Sequence, residues 1–380
     1  MNRTLFALGS TAFLMFVTAA FQPIPKEKTE TANPKIQMAL LLDTSNSMDG
    51  MIDQAKSQLW KMVNELADSK KNGNSPDLEI ALYQYGNSGL LANGGYLQQI
   101  VPLSTDLDEI SDALFKLTTS GGSEYCPNTI VDAVEKLDWS PSDDDLKLIV
   151  ISGNESFAQG PVTPEEACRA ALSKGIYVTS IFCGKWEEGI TLGWSDGAKC
   201  SEGEYLNIDT DEKVAHISTP YDDDIVALNT SLNKTYIGYG SKGQEKLQNQ
   251  IVQESNAAFY GSANVRQRAF FKSKKQYNNA GWDLVDKYKE DNSIVSIIKD
   301  DELPAELKGK SEEEIEIYIE AKQKERTKIK TELKKLEEKA KIYEAKEKAK
   351  MAGSNDNTLD AAMQKAIANL ATNKGYLLEK

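Results

Sequence analysis

An aspartate and two serines stand at alternate positions, Asp43, Ser45 and Ser47, directly after an apolar run from Met38 to Leu42. The set itself contains no sulfur or imidazole, and these oxygen ligands suit Mg²⁺, with Mn²⁺ or Ca²⁺ as alternatives; the ion would keep several waters. A bound water can be exchanged for a carboxylate from another molecule. Asp and Ser before a helix are also ordinary N-caps, but capping needs only one such residue. The spacing therefore predicts a divalent-metal site.

Short apolar runs alternate with segments of helical period as far as Asn233. The runs are continuous: 38–42, 78–85, 146–151 and 177–183. Helical spacing falls between them: 52–66, 108–117, 129–137 and 164–174, the last after the N-cap candidate Thr163. Continuous apolar runs indicate strands buried on both faces. The order predicts an α/β, doubly wound, mostly parallel sheet with helices on both faces, which binds ligands at the carboxyl ends of its strands, where Asp43 lies.

Composition and periodicity divide the chain into six segments. They are a signal peptide (1–20), a linker (21–34), the α/β domain (35–235), a connector (236–304), a long charged helix (305–350), and a short amphipathic helix with a tail (351–380). In the connector, only a few helical turns can be assigned.

The first segment combines Arg3, an apolar stretch and small residues, which predicts export to the periplasm, the cell surface or the medium. If it is not cleaved, the apolar run from Leu5 to Phe21 would be a membrane anchor. All four cysteines follow it. An even number in an exported chain favours at least one disulfide, with three pairings open. The net charge of −14 argues against nucleic-acid binding.

The long helix begins with a capping box, Ser311 and Glu314, and carries a stripe with coiled-coil spacing. Two of its positions are cationic, so the seam is imperfect. Two interpretations stay open. The helix either self-associates to form a homo-oligomer, or it is a single helix that is solvated or packed back on its own domain. The stripe comprises Ile315, Ile319, Lys322, Arg326, Ile329, Leu333, Leu336, Ala340 and Tyr343.

The run Asp43-Thr44-Ser45-Asn46-Ser47 after an apolar strand resembles the metal-ion-dependent adhesion site (MIDAS) of von Willebrand factor type A (VWA) domains. The resemblance covers about residues 35–235 and includes Gly121-Gly122-Ser123 and the strand that ends in Gly153. It implies a doubly wound sheet and a metal completed by a threonine from the second loop and an aspartate from the third. Several later segments also resemble exported bacterial members of this family.

Two departures from the family pattern concern these last ligands. The second loop reads GGSEYC, so its ligand is Ser123 or Glu124, or Thr118 or Thr119 if the alignment slips. In the third loop Ser152 replaces the aspartate, and Glu155 supplies a carboxylate if the loop folds inward. Metal binding remains the expectation, because the family's aspartate usually binds through water.

The residues favour a non-enzymatic module that holds a cation and presents it to an acidic side chain of a partner protein. A serine nucleophile would need a base, and the single histidine, His216, has no recognisable partner. Metal-assisted hydrolysis would need more carboxylates than can be placed at the ion. A structural or assembly protein with a degenerate, metal-free site, self-associated through its C-terminal helices, is the alternative.

Overall fold

The computed structural model describes residues 33–208, 217–350, 366 and 369–377. The predicted signal peptide, most of the linker, His216 and much of the last amphipathic helix lie outside the described residues. From Asn33 onward the chain forms one compact unit. None of the helices in the described ranges is both long enough and apolar enough to cross a membrane.

The elements of the first half alternate as the sequence predicts. In chain order they are β1 (Lys35–Asp43), α1 (Asp49–Asp68), β2 (Lys70–Lys71), β3 (Asp77–Tyr85), β4 (Leu97–Ser104), α2 (Leu107–Phe115), α3 (Cys126–Lys136), β5 (Leu146–Gly153), α4 (Pro164–Ser173), β6 (Tyr177–Cys183), α5 (Trp186–Thr191), α6 (Trp194–Lys199) and β7 (Tyr205–Ile208). Thr163 caps α4 in a capping box with Glu166.

The later elements are mainly helical. They are α7 (Asp222–Asn233), α8 (Gly240–Phe259), α9 (Ser262–Ser273), α10 (Leu284–Glu290), α11 (Ile294–Ile297), α12 (Glu312–Lys350) and the two-residue strand β8 (Tyr376–Leu377). Ser311 and Glu314 form the predicted capping box at the start of α12, since each accepts a backbone N–H from the other.

Six strands form the main sheet in the order β4-β3-β1-β5-β6-β7. All neighbours pair in parallel except β3 and β4, which are antiparallel. One apolar layer lies between the sheet and α1 and α2, and a second lies between the sheet and α3, α4 and α6. The predicted doubly wound, mostly parallel fold is therefore confirmed, and Asp43 ends the buried central strand β1.

The connector that the sequence left largely unassigned contains two of the longer helices, α8 and α9. Both pack on the first half of the chain, α9 against α1 and α8 against α2. The sequence did not predict α9, because Arg266, Arg268 and Lys272 all face inward and interrupt its apolar period. Arg268 bridges Asp108 on α2, at 2.6 Å, and Glu254 on α8, at 2.9 Å.

The stripe of α12 is real, and it packs within the chain. Seven of its nine residues are buried, while Lys322 and Tyr343 are half-buried. Arg326, one of the two cations in the stripe, pairs with Asp283 at 2.6 Å and lies over the ring of Tyr236. Of the two interpretations, the structure has the helix packed on its own domain. Self-association through this stripe would require α12 to leave it.

One disulfide joins Cys168 on α4 to Cys200 after α6, as the even cysteine count favoured. Cys126 and Cys183 are buried free thiols. At the amino ends of the central strands, β8 pairs with β2, and the Tyr376 hydroxyl donates to the Lys35 carbonyl at 2.8 Å. Tyr376 therefore lies at the amino end of β1, and Asp43 lies at the opposite end of that strand.

Candidate metal site at the carboxyl ends of the strands

The first loop leaves β1 at Asp43 and turns at once. Asp43 Oδ1 accepts the Ser45 backbone N–H at 2.7 Å, and the Thr44 N–H donates to the Tyr85 carbonyl at 2.8 Å. Neither α1 nor the short 3-10 turn before it is capped by a side chain. The N-cap explanation for Asp43, Ser45 and Ser47 is therefore wrong. The Ser45 and Ser47 hydroxyls lie 3.2 Å apart, at the entrance above the buried carboxylate.

The second loop brings Glu124 to Asp43. Ser120 N–H donates to the Thr44 carbonyl at 2.9 Å, and Gly122 packs so closely on residues 86–88 that a Cβ would lie 2.7 Å from the Gly86 carbonyl oxygen. Gly86 has a φ of +75°, and a Cβ there would meet both Asp43 Oδ1, at 2.5 Å, and Glu124 Cγ, at 3.0 Å. The two carboxyl groups thus share the space that a glycine leaves open.

The third loop contributes residues other than the one the family pattern uses. Ser152 is buried, and its hydroxyl points away to the Met51 sulfur at 3.6 Å. Asn154 Oδ1 instead accepts the Ser47 hydroxyl at 3.2 Å. Glu155 is exposed, and its Oε2 accepts Gln159 Nε2 at 2.6 Å. Gln159 Oε1 also accepts the Glu124 backbone N–H at 3.4 Å, so it links the second and third loops.

Asp43 and Glu124 are buried acids that lack a balancing charge. They are 0% and 1% exposed, and Asp43 Oδ2 and Glu124 Oε2 have no hydrogen-bond partner. Burial raises the pKa of both carboxyl groups, the charge of Asp43 raises that of Glu124 further, and the charge of Glu155 adds to both. Within the described ranges, no lysine or arginine forms an ion pair with any of the three acids.

The other second-loop candidates are directed elsewhere. Thr119 Oγ1 donates to Asp49 Oδ1 at 2.5 Å, and the Thr118 carbonyl accepts Asn87 Nδ2 at 2.9 Å. In the part of the chain that the structure describes, no hydrogen bond joins Ser123 to the first loop. Of the four candidates, Glu124 is therefore the one that the structure places beside Asp43. Sequence reasoning missed Gly86, Asn154 and Gln159, although the G-N-S turn after β3 was a visible signal for the first.

The donor set fits a divalent cation. It consists of oxygens only, and two of them are buried orphans, which cost free energy until something satisfies them. No three Asp, Glu, His or Cys side chains of the described residues already have a metal-binding arrangement. The hydroxyls of Ser45 and Ser47, together with water, would have to complete the coordination of an ion between Asp43 and Glu124.

A cleft of about 340 Å³ lies beside the first loop. It is lined by Asp49, Ile52, Asp53, Lys56, Leu117, Thr118 and Thr119. The Tyr260 hydroxyl, at the end of α8, donates to Asp53 Oδ1 at 2.6 Å, and the neighbouring Phe259 is 80% exposed. The end of α8 therefore lies beside this cleft.

No family model and no curated protein matches this chain. Among solved structures, 46% of the chain is similar to 90% of BatB from Bacteroides thetaiotaomicron, at 17% identity and a TM-score of 0.36. The SpRpn10 VWA domain is similar at 14% identity and a TM-score of 0.34, over 47% of this chain and 90% of that one. Proximal thread matrix protein 1 from the mussel byssus, with a zinc-occupied MIDAS motif, is similar over 47% of this chain, at 14% identity and a TM-score of 0.36. This chain spans 43% of the mussel protein. Identities and TM-scores are low, so the function below is drawn from this chain's own residues.

Proposed function

We propose that this protein is a non-enzymatic, metal-dependent binding module of the VWA type, which uses a MIDAS-like site to capture a partner protein. Asp43, Ser45, Ser47 and Glu124 would hold the cation, and Asn154 would orient Ser47. The observation that carries the proposal is the pair of buried carboxyl groups, Asp43 and Glu124, with one unpartnered oxygen each. A protein does not bury two such groups together without a cation or a proton between them.

The chemistry of the donors favours a hard cation. Carboxylate, hydroxyl and water oxygens suit Mg²⁺, Mn²⁺ or Ca²⁺, and we propose Mg²⁺ as the resident ion. An ion at this edge of the sheet would keep at least one face towards solvent, because Ser47 is exposed. We propose that a partner protein offers an acidic side chain to that face. Nucleic acid is not proposed as a partner, given the net charge of −14.

The alternative function, a structural protein with a metal-free site, depends on self-association through the C-terminal helices. The buried stripe of α12 argues against it, since Ile329, Leu333 and Leu336 already pack in the chain's own core. An enzyme is not proposed: Ser45 lies beside Asp43 and Glu124, which the proposal assigns to the cation, and among the described residues no histidine or lysine hydrogen-bonds to Ser45 or Ser47. Export, and attachment to a membrane if residues 1–20 are not cleaved, remain proposals from the sequence.

Calorimetric titration of Mg²⁺, Mn²⁺ and Ca²⁺ into the chain without residues 1–20 tests the proposal. We expect saturable binding to the wild type and none to Asp43→Ala. The matched control is Asp143→Ala, an exposed aspartate in the loop before β5, which should bind like the wild type. Absence of binding by a folded wild type would contradict the metal site. Metal-dependent capture of a partner, abolished by EDTA and by Asp43→Ala, would then test the binding function.

A further inference from the structure

The third loop, residues 154–159, is held by α6 and by the turn that precedes this helix. The Trp194 indole, at the start of α6, donates to the Glu155 carbonyl at 2.7 Å, and the Phe157 backbone N–H donates to the Leu192 carbonyl at 2.9 Å. The rings of Phe157 and Trp194 meet edge to face, with 5.3 Å between their centroids. The backbone of the loop is therefore supported from the side of α6.

Gly153, the last residue of β5, lies against the same indole. A Cβ at Gly153 would lie 2.9 Å from Trp194 Cη2 and 2.7 Å from the Tyr85 hydroxyl oxygen, so a side chain there would clash with both neighbours. Trp194 is itself fully buried, and its carbonyl accepts the Ser180 hydroxyl of β6 at 2.7 Å. The indole is therefore a fixed surface against which the third loop leaves the sheet.

The other end of α6 is tied to α4. Cys200, which follows α6 directly, forms the disulfide with Cys168 on α4. The helix has only six residues, and a helix of that length is not stable by itself in water. Its position therefore depends on the disulfide at one end and on the packing of Trp194 at the other.

Asn154 connects this support to the candidate metal site. It lies between the two residues whose backbones contact Trp194, and its Oδ1 accepts the Ser47 hydroxyl at 3.2 Å. Ser47 is exposed, and among the described residues its hydroxyl has one other hydrogen-bond partner, Ser45. The direction of the Ser47 hydroxyl therefore depends on where the third loop holds Asn154.

We infer that Trp194 is a positioning residue for the metal site, and that α6 with its disulfide holds the third loop where Asn154 directs the Ser47 hydroxyl to the ion. This inference rests on the metal site proposed above. It gives a role to a helix none of whose side chains is a proposed ligand. Loss of the indole N–H releases the loop and leaves every proposed ligand in the chain, so the metal affinity falls.

The experiment is a double-mutant cycle between Trp194→Phe and Asn154→Ala, with the Mg²⁺ affinity measured by calorimetric titration. Phenylalanine keeps a buried ring and removes the indole N–H. We expect Trp194→Phe to lower the affinity about tenfold by itself, and to have little further effect in Asn154→Ala, because it acts through that side chain.

Trp139→Phe is the matched control for the lost indole. The Trp139 indole also donates to a backbone carbonyl, that of Ala133 at 3.0 Å. It lies near the amino end of β1, because the side chain of Gln37 on that strand donates to the carbonyl of the preceding residue, Asp138. We expect its loss to leave the Mg²⁺ affinity unchanged.

The cycle separates positioning from a general loosening of the fold. An equal loss of affinity from Trp194→Phe in both backgrounds would overturn the inference, because loosening acts without Asn154. An unchanged affinity in Trp194→Phe would overturn it too. If Trp194→Phe does not fold, the double variant Cys168→Ser, Cys200→Ser tests the other end of α6. We then expect a lowered affinity, and an unchanged one would overturn the inference.

Failure of the metal site itself gives a different result. A folded wild type would bind no Mg²⁺, or Asp43→Ala would bind it equally well, and the inference would fall with the proposed function. Saturable binding that is lost in Asp43→Ala and unchanged in Trp194→Phe would instead keep the metal site and remove the role of Trp194.

Discussion

Buried carboxylates occur in two regions of this protein, with opposite surroundings. Between α2, α8 and α9, Asp108 and Glu254 each contact the guanidinium of Arg268, and Lys272 adds a second cation at 2.6 Å from Glu254. At the carboxyl ends of the strands, Asp43 and Glu124 are more deeply buried than Glu254, yet each keeps an oxygen without a partner.

The difference separates two uses of buried charge. In the helical region, Arg268 and Lys272 each have an acid of the same chain as partner, so this network is complete and fixes how α8 and α9 pack on α2. In the loop region, none of the lysines and arginines in the described ranges pairs with Asp43 or Glu124, and the proposed cation would supply that positive charge. Burial alone does not distinguish these two uses of buried charge. The hydrogen-bond and ion-pair partners of each carboxylate oxygen distinguish them.

The most damaging change should be Arg268→Met, which removes the cation that two buried acids share. Asp108 would lose its ion-pair partner inside the fold and Glu254 would keep only Lys272, so we expect a loss of about 3 to 5 kcal/mol in the free energy of unfolding, measured in urea without added metal. Lys116→Met, which breaks the exposed pair with Asp112, should cost less than about 0.5 kcal/mol. A loss below 1 kcal/mol for Arg268→Met would mean that the network is not what holds the helices.

Acid should weaken the same network. Burial alone would raise the pKa of Glu254, but the charges of Arg268 and Lys272 outweigh it and lower the pKa to about 2. A carboxyl whose folded pKa lies below its unfolded value near 4.5 stabilises the fold above that value. The contribution, about 3 kcal/mol, is lost as pH falls from about 4.5 to 2.

The measurement is the difference in unfolding free energy between the wild type and Glu254→Gln, followed from pH 6 down to pH 2. We expect the difference to be constant from pH 6 to about 4.5 and to shrink from there to pH 2, since the glutamine does not titrate. A difference independent of pH would show that the charge of Glu254 contributes nothing.

The sequence predicted one region much better than the other. Asp43 could be located because β1 and α1 have clear apolar periods, and the stripe of α12 was visible for the same reason. The helices α8 and α9 were not, because polar residues face inward and break the apolar period: Gln250 and Gln253 on α8, and Arg266, Arg268 and Lys272 on α9. Their acidic partners lie far away in the chain, as with Asp108, 160 positions from Arg268, and one sequence does not reveal such pairs.

Within the site, the sequence predicted the candidate ligands of the first loop and did not decide which residue of the second loop joins them. The pattern offered Ser123 or Glu124, and Thr118 or Thr119 if the alignment slips, since loop conformation decides which side chain turns inward. That choice depends on the close approach at Gly86 and Gly122, which is a property of two backbones and not of a motif.

At the loop site, removing a charged side chain should change the free energy of unfolding in the opposite direction. Glu124→Gln removes a buried acid that lacks a counter-charge, so the metal-free protein should gain about 1 to 2 kcal/mol in unfolding free energy. The same variant should lose most of its affinity for Mg²⁺. Urea unfolding with EDTA and with saturating Mg²⁺ measures both effects. Glu135→Gln, on the surface of α3, is the control. Destabilisation of the metal-free variant would mean that Glu124 belongs to the fold rather than to the site.

The smallest effect on stability, and the sharpest test of the comparison, should come from Ser47→Ala. Ser47 is exposed, and its hydroxyl contacts only Ser45 and Asn154, both at 3.2 Å, so its loss should change the free energy of unfolding by less than about 0.5 kcal/mol. If the hydroxyl is a ligand, Mg²⁺ affinity should still fall by about tenfold, while Ser241→Ala, at the exposed start of α8, changes neither. A residue that matters to the ion and not to the fold is what a binding site requires. A different outcome would be Mg²⁺ affinity equal to that of the wild type in Ser47→Ala, with a stability loss above 1 kcal/mol. The loop cluster would then be a structural network like that of the helices, and the two regions would not differ.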